Sequence, residues 1–218
     1  MASSKKALAR APSLRDAHKN RTRLALREAA LKLFATRGYD TTKTDEIAEK
    51  AGVSARTFFR YFPTKESVLF LGERAWVESF ALLYRGQPDS LSDVDAMCAT
   101  LIALASGLAR SRPALRLYER AVASSLTLRG REQDHQREDV EKVAEAIGAR
   151  RGLTRADEAC TLLAAVGVLA YRRALNAWLA GPADAELSDF IAEEFRLLAG
   201  SFTQERAKPK RRSLARAS

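Results

Sequence analysis

Thr44-Asp-Glu-Ile-Ala-Glu-Lys-Ala-Gly-Val-Ser-Ala-Arg-Thr-Phe-Phe-Arg-Tyr-Phe-Pro-Thr-Lys-Glu66 decides the reading of this chain. Asp45 and Glu46 suit the positive end of a short helix running to about Ala51, and Thr42 and Thr44 offer capping oxygens ahead of it. Gly52 can adopt the left-handed conformation that ends that helix. Ser54 can cap a second one from Ala55 to about Phe62, which Pro63 terminates. Ala48 is small where the two helices must approach, and Ile47, Val53 and Phe58 supply the apolar contacts of the corner. The pattern predicts a helix-turn-helix. Such a corner presents its second helix to the major groove, where side chains near its start read base edges; Ala55, Arg56 and Thr57 lie there.

Upstream, Leu26, Ala30, Leu33 and Phe34 recur at helical spacing and Gly38 follows as a stop, predicting a first amphipathic helix. Downstream, Thr64 is positioned to cap a long fourth helix carrying Val68, Leu69, Trp76, Phe80 and Tyr84. Helical patterns continue at roughly 92–110, 113–128, 132–149, 154–180 and 184–200, punctuated by Pro113, Gly130, Gly152 and Gly181-Pro182. Thr154 and Asp157 resemble a capping box at the start of the most apolar of them, which is apolar on more than one face and so invites a subunit interface. No strand alternation appears. The expected class is all-α, with a three-helix helix-turn-helix DNA-binding domain followed by a larger helical bundle.

Charge supports that division. The net charge of +10 resolves into +9 over residues 1–65, −5 over 66–205 and +6 over 206–218, so a polyanion is the natural partner of the first part. The expected organisation is a basic flexible arm (1–18), a helix-turn-helix domain (19–65), a helical body (66–205) and a basic disordered tail (206–218). Two cysteines, Cys98 and Cys160, sit in apolar helical patterns and read as free thiols of a reducing compartment. No stretch approaches the ~20 apolar residues of a spanning helix, and a cytoplasmic protein with no membrane partner is expected.

Residues 44–66, extended back through Leu33-Phe34-Ala35-Thr36-Arg37-Gly38-Tyr39 to about Arg23, resemble the DNA-binding region of TetR-family transcriptional regulators. The resemblance implies that Thr42 and Thr44 cap the second helix and bind phosphate, that Arg56, Thr57 and Arg60 face the groove, and that Tyr61 and Lys65 hold the DNA backbone. Many members have Leu-Tyr where this chain has Phe58-Phe59, so a hydroxyl contact at Phe59 is not carried over. Arg56 is the first choice for base readout, since a guanidinium pairs bidentately with guanine for about 1–3 kcal/mol of discrimination. Lys19, Arg21 and Arg23 add an N-terminal arm. With ~6–8 phosphates neutralised per dimer, the logarithmic salt slope comes to roughly −5 to −7.

The resemblance further implies that residues 66–205 are a helical-bundle effector (ligand)-binding and dimerisation domain, and that the protein is a homodimer on a double-stranded operator of approximate two-fold symmetry, released by a small-molecule effector. Trp76, Phe80, Tyr84, Tyr118 and Trp178, with Arg116 from the row Arg112, Arg116, Arg120, are the candidate lining of an effector pocket. They favour an apolar ligand, or one that is acyl-CoA-like, as in a branch of the family. The rival reading is a helical carrier or sequestering protein with only non-specific polyanion binding. Catalytic signatures are absent: no Gly-rich phosphate loop, no His-Glu-x-x-His and no Gly-x-Ser-x-Gly occur, and His18 and His135 read as surface histidines. No enzyme activity, cofactor or metal is expected.

Overall fold

A computed structural model describes residues 14–70 and 73–203, which form nine α-helices and two 3-10 turns, with no strand among them. The helices are α1 (Leu14–Arg37), α2 (Thr44–Lys50), α3 (Ala55–Tyr61), α4 (Glu73–Arg85), α5 (Asp93–Ala105), α6 (Arg112–Ala123), α7 (Leu126–Arg150), α8 (Glu158–Ala180) and α9 (Leu187–Thr203). Two compact units result. One takes residues up to Glu78 together with Arg110–Glu138; the other takes Ser79–Ala109 together with residues from Asp139 onward. The expected tail at 206–218 and most of the expected arm lie outside the described residues.

The first unit is built on the apolar stripe of α1. Leu26, Ala30, Leu33 and Phe34 are buried against Ile47, Ala48, Phe58, Phe62, Val68 and Leu69. Ala121, Val122 and Leu128, from α6 and the start of α7, complete the same cluster. Phe34 and Phe58 are fully buried, and each contributes about 1.5–3 kcal/mol by leaving water. The compact units therefore do not follow the expected boundary after residue 65, because 110–138 supplies part of the head's core. α1 also starts earlier than its apolar pattern does: residues 14–18 are helical, so that end of the expected flexible arm is ordered.

Three expected helix starts are corrected in register. Thr64 precedes a 3-10 turn, Glu66–Val68, whose cap position is held by Lys65, and α4 is described from Glu73. Here the Ser67 amide donates to Thr64 Oγ1 (3.3 Å) and the Ser67 hydroxyl donates to the Thr64 carbonyl (2.7 Å), a closed local loop that competes with helix continuation. Gly130 lies inside α7 instead of ending a helix. The cap of α8 is Asp157 itself, whose Oδ1 accepts the Cys160 amide at 2.7 Å; Thr154 lies in the exposed turn before it.

In the second unit, α9 packs against both α8 and α5. Trp178 is 1% exposed and its indole N–H donates to the Ala185 carbonyl at 2.8 Å, tying the end of α8 to the connection that follows. Asp93, at the start of α5, gathers a polar knot. Its carboxylate accepts from Arg150 Nη1 (3.1 Å), Arg151 Nε (2.8 Å) and the Tyr84 hydroxyl (3.0 Å). Arg150 also donates to the Pro88 and Leu91 carbonyls (2.8 and 3.2 Å) and lies 5.6 Å from the Tyr84 ring centre.

At Gly167 the Met97 side chain of α5 lies against the α8 backbone, and a Cβ there would overlap Met97 Sδ. Gly167→Val is expected to cost about 1–3 kcal/mol in urea unfolding by overpacking. Adding Met97→Ala should restore part of that loss, because the two sites share one contact.

Candidate nucleic-acid interface

The corner is held by main-chain bonds. α2 ends in a closed motif in which the Gly52 amide donates to the Glu49 carbonyl and the Val53 amide to the Ala48 carbonyl, both at 2.9 Å. Gly52 has φ +71°, the left-handed conformation that this 6→1 and 5→2 pairing needs. Ser54 then caps α3, its hydroxyl accepting the Thr57 amide at 3.3 Å. With Ile47 and Phe58 fully buried, the turn has one way to seat.

α3 consequently divides into two faces. Phe58 points inward, Ala55, Thr57 and Tyr61 are half-buried, and Arg56, Phe59 and Arg60 are exposed. The Arg60 guanidinium carbon lies 5.1 Å from the Tyr61 ring centre. Arg23 of α1 approaches the Phe62 ring at 5.9 Å, so this cation borders the corner, while Lys19 and Arg21 are exposed on α1.

The structure places Thr42, Thr44 and Lys65 differently from expectation. Thr42 is 1% exposed and its hydroxyl donates to the Gly38 carbonyl at 2.7 Å, so it has neither the access nor the free donor for a phosphate. Neither threonine is the cap of α2. Lys43 holds that position with extended backbone, and Glu46 reaches back to accept the Lys43 amide at 2.8 Å; Thr44 is the first residue of the helix. A Glu three residues after Lys43 was the available sequence signal.

Lys65 turns inward: its ammonium donates to the Tyr39 and Thr42 carbonyls (2.8 and 3.0 Å) and sits 4.0 Å from the Tyr39 ring centre. It stitches the α1–α2 connection to the segment after α3. Beside it the Tyr39 hydroxyl donates to Glu66 Oε2 at 3.0 Å, and Arg131 of α7 lies 3.7 Å from Glu66 Oε1. Burial, then the bond to Glu66, pushes the Tyr39 hydroxyl well above the ordinary phenol range. Burial also raises the Glu66 carboxyl, but the hydrogen bonds it accepts and the nearby Arg131 charge outweigh this and hold it below the usual range.

The residues expected to line an effector pocket are divided between the two compact units. Trp76, Arg116 and Tyr118 belong to the first unit; Phe80, Tyr84 and Trp178 belong to the second. Phe80 and Tyr84 are buried and stacked, with ring centres 5.4 Å apart, and Trp178 is buried as well. Arg116 is exposed, whereas Arg112, one turn earlier, is buried, so the arginine row does not present a single ligand-facing edge. Tyr118 bonds to the buried Glu132 and meets Phe70 edge-on at 6.3 Å. His135 is half-buried with its ring 4.0 Å from that of Phe70, which corrects its reading as a plain surface histidine. Among the described residues, no cluster of three or more metal-binding side chains occurs and no single helix is long and apolar enough to cross a membrane.

Comparison with known proteins agrees with this geometry. Residues 26–70 match the model of bacterial regulatory proteins of the tetR family, and residues 91–203 match the MftR C-terminal domain. The HTH-type transcriptional regulator TcmR of Streptomyces glaucescens is 38% identical over 86 residues, 39% of this chain and 38% of that regulator. This chain thus aligns with well under two thirds of that curated relative. Among solved structures, Thermus thermophilus FadR, a TetR-family repressor in complex with lauroyl-CoA, is 25% identical with a TM-score of 0.56, covering 90% of this chain and all of that one. The fatty acid degradation regulator FadR of Bacillus halodurans shares the fold at 19% identity, with a TM-score of 0.53 over 84% of this chain and 97% of that one. With its head and more than half its length matched by these models, the chain belongs to the TetR family of bacterial regulatory proteins.

Proposed function

We propose that this protein is a ligand-responsive transcriptional repressor, acting in the cytoplasm as a homodimer that grips a two-fold operator and lets go when a small effector binds. The observation that carries the reading is the exposed face of α3. Arg56 and Arg60 stand in solvent on a helix whose inner face is fixed by Phe58 and whose start is capped by Ser54. Buried packing has no use for either guanidinium there, while base edges and phosphates do. Ala55, Thr57 and Tyr61 flank them, Thr44 starts the helix that braces them, and Lys19 and Arg21 add charge from α1. Dimerisation is supported by α8, where Leu162 and Leu169 are 68% and 60% exposed two turns apart, with Leu197 exposed on α9. Two heads in such a dimer would meet successive major grooves about 34–36 Å apart.

The effector we favour is apolar and acyl-CoA-like, because the 25%-identical Thermus thermophilus relative holds lauroyl-CoA. A ligand that favours the released conformation by ~3 kcal/mol weakens operator binding at most about 150-fold, and operator weakens ligand binding equally.

Arg56→Ala tests the reading directly. Binding of wild type and variant to DNA enriched from a random duplex library, and to unselected DNA, is measured at one salt concentration. The regulator reading expects the variant to lose about 5- to 150-fold on the enriched site and little on random DNA. A carrier with diffuse charge attraction enriches no sequence, and that result would reject the proposal.

A further inference from the structure

Phe59 is 53% exposed in the middle of the basic face of α3, three residues after Arg56 and directly before Arg60. Its ring leans on a core residue. It meets the fully buried Phe58 ring edge-on, with centres 5.4 Å apart and planes at 82°, and Phe58 is held in turn against Phe62 at 5.7 Å. The core therefore fixes the direction in which Phe59 is displayed. A phenyl ring has no hydrogen-bonding group for a phosphate or for the donor and acceptor atoms of a base edge. In the major groove the one apolar feature that distinguishes a base pair is the C5 methyl of thymine.

From these facts we propose that Phe59 is a specificity-determining residue that reads a thymine methyl group beside the base contacted by Arg56. The inference rests on the operator-binding reading and adds an apolar component to it. Contact with the ring takes both the methyl and the phenyl face out of water, so preference for thymine over uracil at that position arises without any hydrogen bond. Discrimination by size and shape of one methyl is modest, so the expected preference is about 3- to 10-fold, the scale of one buried methyl group.

The test uses the full-length chain and sites it enriches from a random duplex library. Each thymine of one half-site is replaced singly by deoxyuridine, which removes the methyl and nothing else. Wild type is expected to lose about 3- to 10-fold at one position. Phe59→Ala is expected to bind the thymine and uracil sites equally, with Phe59→Leu, an apolar side chain of intermediate reach, retaining part of the preference. Circular dichroism melts establish that both variants fold; should Phe59→Ala fail to fold, Phe59→Leu and the wild-type uracil scan carry the test alone. A wild-type protein that enriches a site yet ignores every methyl overturns the role of Phe59 and leaves the regulator reading standing. So does a methyl preference that survives both substitutions. A protein that enriches no sequence overturns both.

Discussion

Asp93→Ala is expected to remove about 3–5 kcal/mol of unfolding free energy, because it leaves a buried guanidinium without its counter-charge. The Arg150 side chain is only 10% exposed, and Asp93 is its ion-pair partner at 3.1 Å. The same carboxylate holds Arg151 and receives the Tyr84 hydroxyl, so a single deletion loosens the contacts between α5, the end of α7 and the end of α4. Urea unfolding at pH 7 measures the loss. The pH dependence has a definite sign. Burial pushes the Asp93 carboxyl up, but the hydrogen bonds from Arg151 and Tyr84 and the charges of both arginines more than reverse this, holding it below the ordinary aspartate range. Its contribution is then complete above the unfolded value of about 3.9 and fades as pH falls through the lower folded value. Wild type and Asp93→Ala should converge in stability in acid; a gap that stays constant down to pH 2 would mean that the carboxylate charge is not what holds the knot.

Lys65→Met is expected to destabilise the first unit by about 2–4 kcal/mol, since two backbone carbonyls of the α1–α2 connection lose a charged donor. A lysine that only held DNA backbone would behave oppositely. Its removal would leave unfolding in the absence of DNA unchanged and would flatten the logarithmic salt slope of binding by about 0.9 for each phosphate released. Thermal or urea unfolding of the free protein separates the two roles, and an unchanged midpoint would refute the inward assignment.

The helix-turn-helix was legible because its determinants are local. Gly52, Ser54 and Phe58 act within a few residues of themselves, through a positive φ, a capping hydroxyl and a helical period, and all three do in the structure what their spacing requires. Lys65 was misread because its partners, Tyr39 and Thr42, lie 26 and 23 residues away, and no periodicity encodes that distance. The head's dependence on Ala121, Val122 and Leu128 was hidden for the same reason. For the candidate effector residues the sequence signal is of another kind. Aromatic residues at helical spacing specify an inward face, but whether that face closes on protein, as with Phe80 and Tyr84, or on a ligand is decided by the helix opposite.

The twelve residues by which α1 precedes Leu26 amount to a rod of ~18 Å at 1.5 Å per residue. Residues 15 to 21 along it are all solvated, and Arg15 and Lys19 stand one turn apart on the same side. Within residues 15 to 21 the charge of this rod, and with it the ionic-strength sensitivity of attraction to a polyanion, can change without disturbing a side chain of the folded interior.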